Sequence, residues 1–246
     1  MKFDTPKSRL IVALDLPDRA RAEALVNATA GTVGVYKIGL ELALAGGIDL
    51  ARELVQSGEH VFLDMKLLDI ANTVASAVRS AGNLGVDFLT VHAYPQAIAA
   101  AVAARPPGLQ IVAVTVLTSL DDGDLEEAGY TLSAEALAAR RIETAASLGA
   151  DCIVCSPREA ELAHRSGLTV ITPGVRLPED SAGDQKRVAT PQIAIRNGAD
   201  AVVVGRPINA SDGPQDAVAR YVEAIREGLA ARPVRTAPPS PKVARR

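Results

Sequence analysis

Residues 64–69, Asp64-Met65-Lys66-Leu67-Leu68-Asp69, set a lysine between two carboxylates. On a strand, residues two apart share a face. Asp64 and Lys66 are then expected to point into one mouth, with Met65 turned into the packing behind. Asp69 falls in the following loop or at the start of the next helix, where an aspartate also serves as an N-cap. Negative neighbours favour the charged form of a lysine. A charged lysine suits a proton donor or an electrostatic anchor, whereas a Schiff-base nucleophile needs a neutral amine. Lys37 adds a second positive charge.

Further polar groups follow short apolar runs. They are Asp15, Lys37, Asp64 with Lys66, His92, Thr118, Ser156, Pro173-Gly174 with Arg176, and Gly205-Arg206. Charges placed beside such runs carry a large desolvation cost unless they are paired or functional. Gly205-Arg206 and Pro173-Gly174-Val175-Arg176 have the chemistry of a phosphate site. Glycine lets backbone N–H groups approach the anion, and arginine binds it with a fork of donors.

The elements that must position these residues alternate along the chain. Eight apolar or β-branched segments read as strands: Leu10–Leu14, Val33–Ile38, His60–Asp64, Asp87–Val91, Ile111–Leu117, Cys152–Cys155, Thr169–Ile171 and Ala201–Val204. Most are continuous apolar runs, as expected for strands covered on both faces. Helical spacing recurs between them, for example over Arg19–Ala30, Glu41–Gln56, Ala71–Leu84, Ala134–Leu148 and Gln215–Leu229. Eight alternations predict an α/β fold, most simply a single-domain (β/α)₈ TIM barrel. A doubly wound open sheet is the structural alternative, since periodicity does not show closure. In a barrel, all the polar positions above fall at the end where strands meet βα loops, and the loops after the seventh and eighth strands are the usual phosphate site.

Local signals mark some helix starts. Ser156-Pro157-Arg158-Glu159 predicts a capping box, and Thr190-Pro191 predicts a cap followed by proline at the first helical position. Thr172 to Ala189 is a long polar stretch rich in Gly, Pro and charge, of the length that compact domains reserve for functional or disordered loops. The expected organisation is a lead-in over 1–8, the barrel over 9–232, and a disordered, Pro-rich basic tail over 233–246.

Composition narrows the function. The 246 residues are 48% hydrophobic and 22% charged, with a formal net charge of −3, no Trp, four Tyr and three Phe. An acidic chain with few aromatics offers neither a broad electrostatic grip on nucleic acid nor a base-stacking platform. Removing the tail's four basic residues takes the net charge from −3 to −7. Any anion site is therefore a small basic pocket rather than a basic surface. No apolar run reaches the ~18 residues of a membrane span, and no secretory apolar region opens the chain. A cytoplasmic protein without a disulfide framework is expected. Cys152 and Cys155 have C-x-x-C spacing, but on a strand they face opposite ways, which argues against a redox or zinc pair. His60, His92 and His164 have no metal-ligand spacing. His92 ends a strand and either lines the site or packs. No G-x-G-x-x-G follows the first strand to support a dinucleotide site.

Residues 64–73, Asp-Met-Lys-Leu-Leu-Asp-Ile-Ala-Asn-Thr, resemble the D-x-K-x-x-D-I-x-x-T motif of the orotidine 5′-phosphate decarboxylases. Supporting matches are Leu14-Asp15, Tyr36-Lys37-Ile38-Gly39, Thr90-Val91-His92-Ala93, Thr172-Pro173-Gly174-Val175-Arg176, Gln185 and Val204-Gly205-Arg206. The resemblance spans about residues 9–230. It implies a carboxy-lyase that converts orotidine 5′-monophosphate to uridine 5′-monophosphate and CO₂ in de novo pyrimidine synthesis. It implies a catalytic set of Lys66, Asp64, Asp69 and Lys37, with Lys66 donating the proton to C6. Asp15 and Lys37 would bind the ribose, and Thr118 the pyrimidine. Gln185, Gly205 and Arg206 would bind the 5′-phosphate, with Pro173 and Arg176 in the adjoining loop. The family uses no metal and no organic cofactor. It works as a homodimer, with Asp69 and Thr73 of the partner subunit completing each site. Two other readings remain: a metal-dependent decarboxylase or aldolase acting on a sugar phosphate, and a catalytically silent phosphate-ligand binder. The Ile70-Ala71-Asn72-Thr73 continuation argues against the first, and intact Lys66 with both carboxylates against the second.

Overall fold

The computed structural model describes residues 3–180 and 189–233. Gln185 and the tail beyond Pro233 lie outside the described residues.

Eight parallel strands close into a barrel, each paired with its sequence neighbours and β1 with β8. They are β1 (Leu10–Ala13), β2 (Val35–Ile38), β3 (Val61–Leu67), β4 (Phe88–His92), β5 (Gln110–Val114), β6 (Cys152–Val154), β7 (Thr169–Thr172) and β8 (Ala201–Val204). The helices of the first half are α1 (Arg19–Thr29), α2 (Leu40–Leu42), α3 (Ile48–Gln56), α4 (Ala71–Leu84) and α5 (Pro95–Ala104). Those of the second half are α6 (Asp122–Glu127), α7 (Ala134–Ser147), α8 (Ala160–Arg165), α9 (Pro191–Arg196), α10 (Arg206–Asn209) and α11 (Pro214–Ala230). Closure removes the open-sheet alternative.

Strand alternation sorts the apolar residues into two cores. Ile11, Val35, Phe62, Phe88, Val112, Cys152, Ile171, Ala201 and Val203 fill the barrel interior. Leu10, Val12, Tyr36, Leu63, Leu89, Ile153 and Val202 face outward into the layer beneath the helices. Because both faces are buried, the strands read as unbroken apolar runs. Phe3 stacks on Phe88 at the N-terminal end of β4, with ring centroids 5.7 Å apart. Cys152 lies in the inner core and Cys155 in the outer one, and both are free thiols, as their strand spacing predicts.

Several local expectations need correction. The helix expected over Glu41–Gln56 is broken, because Gly46 takes φ +92° and interrupts the turn between α2 and α3. The strand expected over Ile111–Leu117 ends at Val114. Val116 instead joins a small separate cluster with Leu125, Ala134, Leu137 and Ala138, which seats the inserted α6. The Ser156 motif forms a turn ahead of α8 rather than its first turn. Glu159 accepts from both the Ser156 N–H and the Ser156 hydroxyl, so the glutamate closes on the serine and the helix starts at Ala160. Thr190 does cap α9, accepting from the Ile193 N–H, with Pro191 at the first helical position. β3 runs three residues past its expected end at Asp64, to Leu67.

Candidate active site

Parallel register assembles the charged residues. Ala13 pairs with Lys37, and Lys37 with Phe62. Ala13 and Phe62 face the interior, so two residues further on Asp15 and Asp64 share that face, at the strands' C-terminal end. The result is a row of alternating charge. Lys37 Nζ lies 3.0 Å from Asp15 Oδ1 and 3.2 Å from Asp64 Oδ2. Lys66 Nζ donates to Asp64 Oδ1 at 2.8 Å.

The field of this row shifts the pKa values of its buried members. Burial disfavours the charges of both Lys37 and Asp64, yet opposite neighbours outweigh it. The carboxylates of Asp64 and Asp15 hold Lys37 above its ordinary range. Lys37 and Lys66 hold Asp64 below the ordinary carboxylate range.

Lys66 departs from strand geometry. Its φ is +48°, and among the described residues no other non-glycine residue has a positive φ. The cause is a break in the β3–β4 ladder: Leu63 pairs with Leu89 but Leu67 with Val91, so four steps on β3 oppose two on β4. Thr90 Oγ1 accepts from the Lys66 N–H at 2.8 Å and donates to Asp64 Oδ1 at 3.1 Å.

A cavity of about 500 Å³ opens at this mouth. Asp15, Lys37, Asp64, Lys66, Thr118, Pro173, Arg176, Gly205 and Arg206 all line it, beside apolar walls from Phe62, Val114, Val154 and Val203. The structure therefore brings acidic and basic groups from β1–β3 into one cavity with arginines that follow β7 and β8. Arg176 is buried and donates to the Val175 carbonyl at 2.7 Å. The base of its loop is tied by a bridge between Val175 and Ala189. Asn209 Nδ2 donates to the Ala13 carbonyl at 2.9 Å, which binds α10, and with it Arg206, to the end of β1. The loop bearing Thr118 is anchored by Arg141. Its guanidinium sits over the Tyr94 and Tyr130 rings and donates to the Thr115 carbonyl at 2.6 Å.

Asp69, Thr73, His92 and Ser156 stand outside this cavity. Asp69 and Thr73 are exposed, and Asp69 Oδ1 accepts from its neighbour's N–H, that of Ile70, at 2.6 Å. His92 ends β4 but does not line the cavity; burial, with Arg141 and Lys66 nearby, lowers its pKa. Sequence reasoning missed Glu41 and Ser119, which do line it, and had no signal for either. It also gave no role to Gly39. A Cβ there would meet Asp15 Oδ1 at 2.7 Å and Lys37 Nζ at 3.1 Å, so glycine leaves room for the ion pair. Among the described residues, no three His, Cys, Asp or Glu side chains are grouped to hold a metal ion.

Residues 8–221 match the model of the orotidine 5′-phosphate decarboxylase / HUMPS family. The chain belongs to that family. It is 56% identical over 220 residues to the orotidine 5′-phosphate decarboxylase of Methylorubrum extorquens, covering 88% of this chain and 95% of that protein. It is 52% identical over 224 residues to that of Afipia carboxidovorans, covering 89% and 95%. The crystal structure of orotidine 5′-phosphate decarboxylase from Lactobacillus acidophilus superposes with a TM-score of 0.76 at 33% identity, covering 88% of this chain and 98% of that one. Membership of the family makes this barrel an enzyme of the carboxy-lyase class, and the D-x-K-x-x-D element of the family resemblance supplies Asp64 and Lys66 to the charged row, while its Asp69 stands outside the cavity. No helix among the described residues is long and apolar enough to cross a membrane.

Proposed function

We propose that this chain decarboxylates orotidine 5′-monophosphate to uridine 5′-monophosphate without metal or organic cofactor. The observation that carries the reading is the alternating row Asp15–Lys37–Asp64–Lys66, lining one cavity together with Arg176 and Arg206. The arginine end suits the 5′-phosphate, and Asp15 with Lys37 suits the ribose hydroxyls. The reacting carbon then lies toward Lys66. The bond between C6 and the carboxylate breaks, its electron pair stays on C6, and CO₂ leaves. The Lys66 ammonium gives a proton to C6 and is left as the neutral amine. A fixed ammonium stabilises negative charge where it develops and needs no reorganisation to do so. Binding energy from the remote phosphate can be spent on orientation and on excluding water.

The site is proposed to be completed in a homodimer by Asp69 and Thr73 of the partner subunit. Their exposure supports this, as does the apolar surface beside them. Leu68 and Ile70 flank Asp69 at 50% and 72% exposure, and Leu44, in the helical turn that follows α2, is 92% exposed. Apolar side chains so exposed fit a protein interface.

The decisive experiment follows the absorbance of orotidine 5′-phosphate with purified protein in EDTA. Decay is expected. No decay at micromolar enzyme would overturn the proposal, and decay only without EDTA would point to metal-dependent chemistry.

A further inference from the structure

Thr90 does not line the cavity, is fully buried, and sits on the inner face of β4 two residues after Phe88. The inner core below it is almost entirely apolar, so a hydroxyl here needs partners. It has two, and both belong to the charged row. The break between the Leu63 and Leu67 pairings leaves the Lys66 N–H facing Thr90 rather than a ladder carbonyl, and Thr90 Oγ1 accepts it. The single hydroxyl proton then goes to Asp64 Oδ1, the same oxygen that receives Lys66 Nζ. A hydroxyl has one proton to give and lone pairs to receive. Both roles are thus used, and they fix its orientation.

We propose that Thr90 is a positioning residue for the decarboxylation assigned above. It holds the Lys66 backbone in its left-handed conformation and orients the Asp64 carboxylate, which together set where the Lys66 ammonium stands. The proposal rests on that functional reading. A left-handed lysine costs roughly as much as a lost hydrogen bond. The conformation persists only where surrounding groups over-determine it. The Thr90 hydroxyl contacts both the strained backbone and the carboxylate two residues before it, so one group couples them.

The test compares Thr90→Val, which keeps the shape and removes the hydroxyl, with Thr90→Ser, which keeps the hydroxyl. Thr90→Val should lower kcat roughly 10- to 100-fold, the worth of a hydrogen bond to a charged group. KM should change little, because Thr90 lies outside the cavity. Its acid limb in kcat should move to higher pH, since Asp64 loses a donor to its ionised form. Thr90→Ser should recover most of kcat. A merely structural role would lower thermal stability without splitting kcat from KM or moving the limb. Should Thr90→Val fold poorly, Thr90→Ala carries the same comparison without added bulk.

A second readout needs no activity: amide hydrogen exchange at Lys66 in the free protein. It should be slow in the wild type and in Thr90→Ser, and fast in Thr90→Val. Wild-type kcat in Thr90→Val, or unchanged exchange at Lys66, would overturn the role of Thr90 while leaving the decarboxylase reading intact. Absence of wild-type activity would sink that reading, and the exchange result would still decide whether Thr90 holds Lys66.

Discussion

Gly39→Ala isolates the Lys37–Asp15 ion pair at the end of the site proposed to bind the ribose. Gly39 has φ −94° and ψ −175°, an extended conformation that alanine adopts freely, so the substitution carries no backbone penalty. All of its effect is steric. The new Cβ would stand 2.7 Å from Asp15 Oδ1 and 3.1 Å from Lys37 Nζ. An ordinary C···O approach is about 3.3 Å, so the carboxylate must retreat by roughly 0.6 Å. The Lys37–Asp15 bond starts at 3.0 Å, and opening it by that much takes it out of hydrogen-bond range. Stability should hardly change. Asp15 is half exposed, at 52%, and can turn to water, while Lys37 keeps Asp64 at 3.2 Å. The cost to the fold is therefore expected below ~1 kcal/mol. Catalysis should suffer more, because the displaced carboxylate no longer meets the ribose. Loss of one hydrogen bond to a charged group predicts a fall in kcat/KM of roughly 10- to 100-fold. The assay is the absorbance decay of orotidine 5′-phosphate, paired with a thermal unfolding scan. Wild-type kcat/KM in Gly39→Ala would refute the reasoning, as would a large fall in Tm with unchanged kinetics.

Three further outcomes are expected. Lys66→Ala should abolish turnover while leaving product affinity nearly intact, whereas Arg206→Ala should weaken both; equal small losses would contradict that division, and steady-state kinetics with product titration decides. Asp64, whose pKa is depressed, contributes stability that is present above the ordinary carboxylate pKa and lost as pH falls through its lowered value. In urea unfolding, wild type should therefore exceed Asp64→Asn at neutral pH and converge with it in acid; a pH-independent gap would exclude this linkage. Mixing inactive Lys66→Ala and Asp69→Ala subunits should restore activity by forming one intact site per heterodimer, and a mixture as inactive as its parents would rule out Asp69 acting in trans.

The barrel was legible because each strand is buried on both faces. Val35 and Tyr36 are both apolar although one faces the interior and the other the helices, so the run marks a strand without stating its orientation. Polar residues at the strand ends supplied the orientation, since Asp15, Lys37 and Asp64 are tolerable only at an open mouth. What stayed hidden depends on relations between segments. The β3–β4 register break cannot be read from Leu63 to Leu67, because alternation within β3 predicts the same face for Lys66 with or without it. The break between α2 and α3 hides behind helical spacing on either side, although Gly46 and Gly47 mark it. Thr90 looked like one more strand residue, because its work is a pair of side-chain bonds to another strand.

The geometry separates the two lysines in a way their motif does not. Lys37 is 7% exposed and gripped by two carboxylates, and its pKa is raised. Giving up its proton would leave two carboxylates, that of Asp64 nearly buried, facing a neutral amine, so it is a poor acid and a good fixed charge. Lys66 is 29% exposed, lines the cavity, and among the described residues pairs with Asp64 alone, through one oxygen. Its proton can leave without stripping a second carboxylate of its partner. A carboxylate from a partner subunit's Asp69 would add a second anchor from the open side and steady the ammonium without burying it. In the proposed mechanism the row would thus grade from a fixed charge at Lys37 to the proton donor at Lys66. The left-handed backbone at Lys66 puts local strain at the residue proposed as that donor, which also lines the cavity.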